Sequence, residues 1–119
     1  MHKILVVDDS KTELVHLGEM LRRAGYQVET ARSAEDARVK LEQFKPDLIL
    51  MDVVMPGKNG FQLTREITRD PRYAGMPVIM CTSKDQETDR IWGMRQGARD
   101  YIVKPVRQEE LMLKIKALD

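Results

Sequence analysis

Short apolar runs and longer amphipathic stretches alternate along this chain, five of each. The runs are Lys3–Asp8, Gln27–Ala31, Asp47–Asp52, Pro77–Thr82 and Asp100–Val103. The stretches that follow them are Ser10–Ala24, Ser33–Phe44, Asn59–Arg69, Lys84–Gln96 and Val106–Leu118. In the first stretch Leu14, Leu17, Gly18, Leu21 and Ala24 fall on one helical face. Helix starts are marked by Ser10…Glu13, Asn59…Gln62 and Ser83…Gln86, a capping side chain with Glu or Gln three residues on, and more weakly by Ser33…Asp36. Stops are marked by Gly25, Pro46, Pro71 and Gly97.

Strands that alternate with helices build parallel βαβ units, and the whole chain, residues 1–119, reads as one three-layer α/β domain. Ile4–Val7, Leu48–Met51 and Val78–Cys81 are continuously apolar, as strands covered on both faces should be. Gln27–Thr30 alternates and suits an edge. A five-stranded parallel sheet of order 2-1-3-4-5, the flavodoxin-like (βα)5 arrangement, accommodates both patterns. In such a sheet ligands sit beyond the carboxyl ends of the strands, where the strand order reverses.

Those carboxyl ends carry the chemistry. The first strand ends in Asp8-Asp9, the third in Asp52, the fourth in Thr82-Ser83 and the fifth in Lys104-Pro105. Singly, each has a plain reading as a cap, a solvated turn or an exposed loop. The fold brings them all to one edge. Three carboxylates in proximity repel unless a cation lies among them, and oxygen-only ligands favour Mg²⁺ or Mn²⁺ over zinc. Lys104 and the Thr82 hydroxyl would then serve the oxygens of a phosphoryl group. Asp52, on the strand between its partners, is the natural nucleophile for an aspartyl phosphate.

Composition narrows the picture further. A net charge of +1, with basic residues spread along the chain, gives no nucleic-acid footprint and no polybasic membrane patch. The apolar start is too short for a signal peptide or a membrane span. The lone Cys81, inside an apolar run, reads as a packed thiol in a reducing compartment, so a cytoplasmic protein is expected. His2 and His16 lie away from the strand ends and receive no role.

Ile4–Ser10, Asp47–Gly57, Thr82-Ser83 and Tyr101–Pro105 together resemble the response-regulator receiver domain of the CheY type, from Lys3 to Leu118. The resemblance implies that Asp9, Asp52 and the main-chain carbonyl of Val54 bind Mg²⁺, with Asp8 acting through water. It implies a cis peptide before Pro105 and phosphorylation by a histidine kinase or phosphotransfer domain. It further implies that Thr82 moves toward the phosphoryl group and that Tyr101 fills the vacated space. A downstream protein would read the surface of the fourth helix, fifth strand and fifth helix, with Arg90, Met94 and Tyr101 exposed on it. Trp92, one position off an Ile91/Ala98 stripe expected to be buried, reads as flank packing ahead of the alternative, a partner contact. Ser83–Tyr101 is similar to the PilH-type receivers of the chemotaxis-like system that controls type IV pilus twitching motility.

Three other classes compete. A phosphorylation-independent receiver would lack an acid, the lysine or the hydroxyl, and none is lacking. A haloacid-dehalogenase-type phosphatase uses Asp-x-Asp, whereas this chain has Asp8-Asp9-Ser10. A flavin binder needs a hydroxyl- and glycine-rich loop after the first strand. The expectation is therefore a monomeric switch, not an enzyme beyond its own phosphorylation and dephosphorylation. No output domain is expected beyond the fifth helix, and the expected output is a protein contact or drainage of phosphate from a shared kinase.

Overall fold

The computed structural model describes all residues from Met1 to Asp119. Five strands, β1 (Lys3–Val7), β2 (Gln27–Ala31), β3 (Leu48–Met51), β4 (Val78–Thr82) and β5 (Asp100–Val103), form one parallel sheet of order β2-β1-β3-β4-β5. The helices are α1 (Lys11–Arg23), α2 (Ala34–Phe44), α3 (Gly60–Arg69), α4 (Glu87–Arg95) and α5 (Gln108–Lys116). A single 3₁₀ turn at Pro71–Tyr73, absent from the sequence reading, precedes β4. No helix is long and apolar enough to cross a membrane.

Strand side chains alternate between two cores, one on each face of the sheet. Ile4, Val6, Leu48, Leu50, Ile79, Cys81 and Ile102 meet α1 and α5 through Leu14, Leu17, Leu21, Leu111 and Ile115. Leu5, Val7, Ile49, Met51, Val78, Met80 and Tyr101 meet α2 and α3 through Ala37, Leu41, Phe61, Leu63 and Ile67. The continuous apolar runs exist because both faces are covered. Four of the five residues assigned to the inner face of α1 are buried, whereas Ala24 is exposed at the helix end.

Helix starts separate a real capping signal from an overridden one. Ser10 accepts from the Glu13 N–H, Ser33 from the Asp36 N–H, and Asn59 with Gln62 forms a full reciprocal box. Ser83 does not cap α4, which begins at Glu87, three residues later than the spacing predicts. The Thr82 hydroxyl instead accepts from the Lys84 N–H at 3.4 Å, and the Lys84 carbonyl accepts from the Tyr101 hydroxyl at 2.8 Å. A local bond and a tertiary one engage the backbone where a first helical turn would begin. α5 likewise starts at Gln108, after Val106 has turned into the core.

Candidate functional site

β1 and β3 are neighbours, and the strand order reverses between them, so their carboxyl ends open onto one crevice. Asp8 and Asp9 follow β1 and Asp52 follows β3, its N–H donating to the Val7 carbonyl at 2.9 Å. One carboxylate oxygen from each of the three acids lies within 4.8 Å of the others. Asp8 and Asp52 are buried, at 2% and 6% exposure, while Asp9 is half-buried. Three acids so close, two of them dry, form an all-oxygen donor set of the kind that suits Mg²⁺ or Mn²⁺. The residues present fit a divalent cation.

Lys104, beyond β5, enters from the other side. Its Nζ lies 2.6 Å from Asp8 Oδ2, 3.8 Å from Asp52 Oδ2 and 3.9 Å from Glu13 Oε2. Burial alone would lower its affinity for the proton, but the Asp8 hydrogen bond and the surrounding carboxylates raise its pKa overall. It stays an ammonium. The peptide between Lys104 and Pro105 is cis, as the resemblance implied.

Asp52 is the perturbed acid of the group. Burial pushes its pKa above the usual carboxylate range, and the Asp8 charge adds to the shift. Lys104, the Thr82 hydroxyl and the Val53 N–H oppose it, the last by a 2.8 Å hydrogen bond to Oδ1. An electron-rich carboxylate that the protein solvates poorly gains from a new cation or a covalent bond. Thr82 is fully buried at the end of β4. Val54, two residues beyond Asp52, exposes 54% of its surface.

One side chain near the site escaped the sequence reading. Glu13 lies in the first turn of α1, where its spacing from Ser10 suggests only a cap. Its nearness to Lys104, far away in sequence, arises only in the folded chain, which no local pattern displays. The cysteine and the two histidines stand where the sequence places them. Cys81 is a buried core thiol whose pKa burial pushes up to about 12, while His2 stands at the far end of β1 and His16 is exposed on α1.

The readout surface needs two corrections. Tyr101, expected to be exposed there, is only 2% exposed. Gly93 on α4 makes room for it: a Cβ at that position would stand 3.3 Å from the Tyr101 ring and from Phe61. Arg90 stacks over the ring at 5.1 Å from its centre and donates to the Tyr101 carbonyl at 3.4 Å. Ile91, expected in a buried stripe with Ala98, is 45% exposed. Short α4 buries only Gly93 within its length, which leaves Ile91, Trp92 and Met94 on the surface at 45%, 47% and 42% exposure. Arg90 and Met94 are exposed as expected.

Comparison with known proteins agrees with the fold. The family model of the response regulator receiver domain matches residues 4–116. Protein PilH of Pseudomonas aeruginosa is 52% identical over 118 residues, covering 99% of this chain and 98% of that protein. The phosphate regulon transcriptional regulatory protein PhoB of Rhizobium meliloti is 36% identical over 98% of this chain, which spans 51% of that protein. The structure of Vibrio cholerae chemotaxis protein CheY4 superposes with a TM-score of 0.92 at 31% identity, covering 100% of this chain and 99% of that one. The chain belongs to the response regulator receiver domain family.

Proposed function

We propose that this receiver is a phosphorylation-operated switch in which Asp52 takes the phosphoryl group from a histidine kinase or phosphotransfer domain. The convergence of Asp8, Asp9, Asp52 and Lys104 at one sheet edge carries this reading. In the transfer, the phosphorus–nitrogen bond of the donor histidine breaks and a bond from phosphorus to an Asp52 carboxylate oxygen forms. Asp9, Asp52 and the main-chain carbonyl of Val54 would hold Mg²⁺, with Asp8 contributing through water. The bound ion supplies positive charge to the phosphoryl oxygens. Lys104, already 3.8 Å from Asp52, places its ammonium on another phosphoryl oxygen, and the Thr82 hydroxyl donates to a third. The chain is no enzyme beyond its own phosphorylation and dephosphorylation.

The signal leaves through α4, β5 and α5. Thr82 shifts toward the phosphoryl group, the segment from Ser83 to Gln86 follows, and the Tyr101–Lys84 hydrogen bond is remade. The population of surface states around Arg90, Trp92 and Met94 changes with it, and a downstream protein reads that surface. The likeness to protein PilH, and the stretch Ser83–Tyr101, support a role in pilus-driven twitching motility for a monomeric, cytoplasmic receiver. The acidic crevice and the balanced charge favour neither nucleic acid nor membrane as a partner.

The test is chemical. The protein is incubated with Mg²⁺ and acetyl phosphate, and the modified residue is trapped by reduction and mapped by mass spectrometry. Modification at Asp52, abolished by Asp52→Asn and by chelation of Mg²⁺, is the expected result. Stoichiometric modification elsewhere, or none, would overturn the assignment.

A further inference from the structure

Glu13 is a charged side chain beside Lys104 that the scheme above leaves idle. Its place in the sequence suggests a reciprocal cap, in which its carboxylate would accept from the Ser10 N–H. That N–H is already taken: it donates to Asp8 Oδ1 at 2.9 Å. Only half of the box forms, with the Ser10 hydroxyl accepting from the Glu13 N–H at 3.3 Å. The Glu13 carboxylate is free of the helix end and lies 3.9 Å from Lys104 Nζ, its side chain a third exposed at the mouth of the crevice.

Lys104 therefore stands among three acids, with Asp8 nearest and Asp52 and Glu13 at almost equal distances on either hand. We propose that Glu13 is a positioning residue that competes with the phosphoryl group for Lys104 and lowers the rate at which dianionic phosphodonors react at Asp52. The proposal rests on the function assigned to Asp52 above. A full negative charge at the crevice mouth repels an incoming phosphate dianion and draws Lys104 away from it. Both effects have the same sign, and both weaken with ionic strength because Glu13 is partly solvated. A donor that docks as a protein can offset this barrier with contacts elsewhere, whereas a small acyl phosphate cannot. Glu13 thus biases the site toward its protein phosphodonor.

The experiment compares the whole chain with Glu13→Gln and Glu13→Asp, using acetyl phosphate at saturating Mg²⁺ and following the rate by intact-protein mass spectrometry. At low salt Glu13→Gln should react about fivefold faster, and the gap should shrink towards unity at high salt. Glu13→Asp, which keeps the charge on a shorter stem, should fall between. A helix-stabilising acid in a first turn predicts the opposite pairing of effects. Glu13→Gln would then melt lower and react no faster. Equal or slower reaction of Glu13→Gln, or a gap insensitive to salt, overturns the proposal while wild-type phosphorylation at Asp52 leaves the parent reading intact. Failure of the wild-type protein and of Glu13→Gln alike to react at all overturns both.

Discussion

The Tyr101 hydroxyl donates a 2.8 Å hydrogen bond to the Lys84 carbonyl, which ties the buried face of β5 to the segment that leads from Thr82 into α4. The ring lies in the core and its oxygen reaches the residue two positions past the site's hydroxyl. Any movement of Thr82 toward Asp52 pulls on that bond. Burial, with the charge of Asp89 behind it, pushes the phenol pKa up to about 12, so the group remains a donor at physiological pH.

Tyr101→Phe keeps the ring and deletes the bond. It should cost about 1 kcal/mol in chemical denaturation. Amide exchange in Ser83–Gln86 should quicken by more than exchange in β4. Unchanged protection of that segment would mean that the hydroxyl does not hold it.

In metal-free buffer Asp52 is a liability to folding. Its folded-state pKa is raised by burial and by Asp8, so the ionised form opposes the folded state above that pKa, and the penalty fades as pH falls through it. Asp52→Asn should therefore melt higher than wild type at pH 7 without Mg²⁺. Added Mg²⁺ should raise the wild-type melting temperature and close the gap. A variant that melts lower in chelator would show that the carboxylate is better solvated than its surroundings suggest.

Gly60 and Gly93 separate hard from soft steric limits. A Cβ at Gly60 would stand 1.9 Å from the Asp52 carbonyl oxygen, a backbone atom that cannot swing aside. Gly60→Ala should cost about 3 kcal/mol and displace Asp52, so phosphorylation should fall with stability. At Gly93 the contacts are ring atoms at 3.3 Å, and alanine's better helix propensity offsets part of the strain. Gly93→Ala should stay within about 1 kcal/mol of wild type. Thermal denaturation of the pair checks the order.

At the far end of the sheet Asp47 accepts from the Lys3 and His2 N–H groups at 2.9 and 3.0 Å. These bonds, Lys3 first, hold its carboxyl below the ordinary range. A lowered folded-state pKa stabilises above the unfolded value and loses that contribution as pH falls through the folded one. Asp47→Asn should be about 0.5 kcal/mol less stable at neutral pH, a small effect because the group is exposed, and the difference should fade as pH falls through the lowered carboxyl pKa. Urea melts at pH 7, 4 and 3 measure it.

The parts of the fold and site legible in the sequence are those that local pattern and strand order dictate. Ile4–Val7 and Val78–Cys81 show two-sided burial directly, and Asp8, Asp9, Asp52, Thr82 and Lys104 follow from reading strand ends in a doubly wound sheet. The start of α4 was not legible, because Ser83…Gln86 has the right spacing but Tyr101 and Thr82 occupy the neighbouring backbone groups. Tyr101 was misplaced on the surface because nothing in its own neighbourhood announces Gly93 as its socket. Glu13 was missed because its cap partner is claimed by Asp8 and its neighbour Lys104 lies far away in sequence.

The central claim, a phosphoryl site at Asp52 coupled to α4, is tested most directly by titrating beryllofluoride, a phosphoryl mimic, into the protein with Mg²⁺. Backbone amide shifts and Trp92 fluorescence are followed together. Saturable, Mg²⁺-dependent shifts at Asp52, Thr82 and Lys104 that extend into Glu87–Arg95, and are lost in Asp52→Asn, are the predicted result. No response in the wild-type protein, or the same response in the variant, would contradict it.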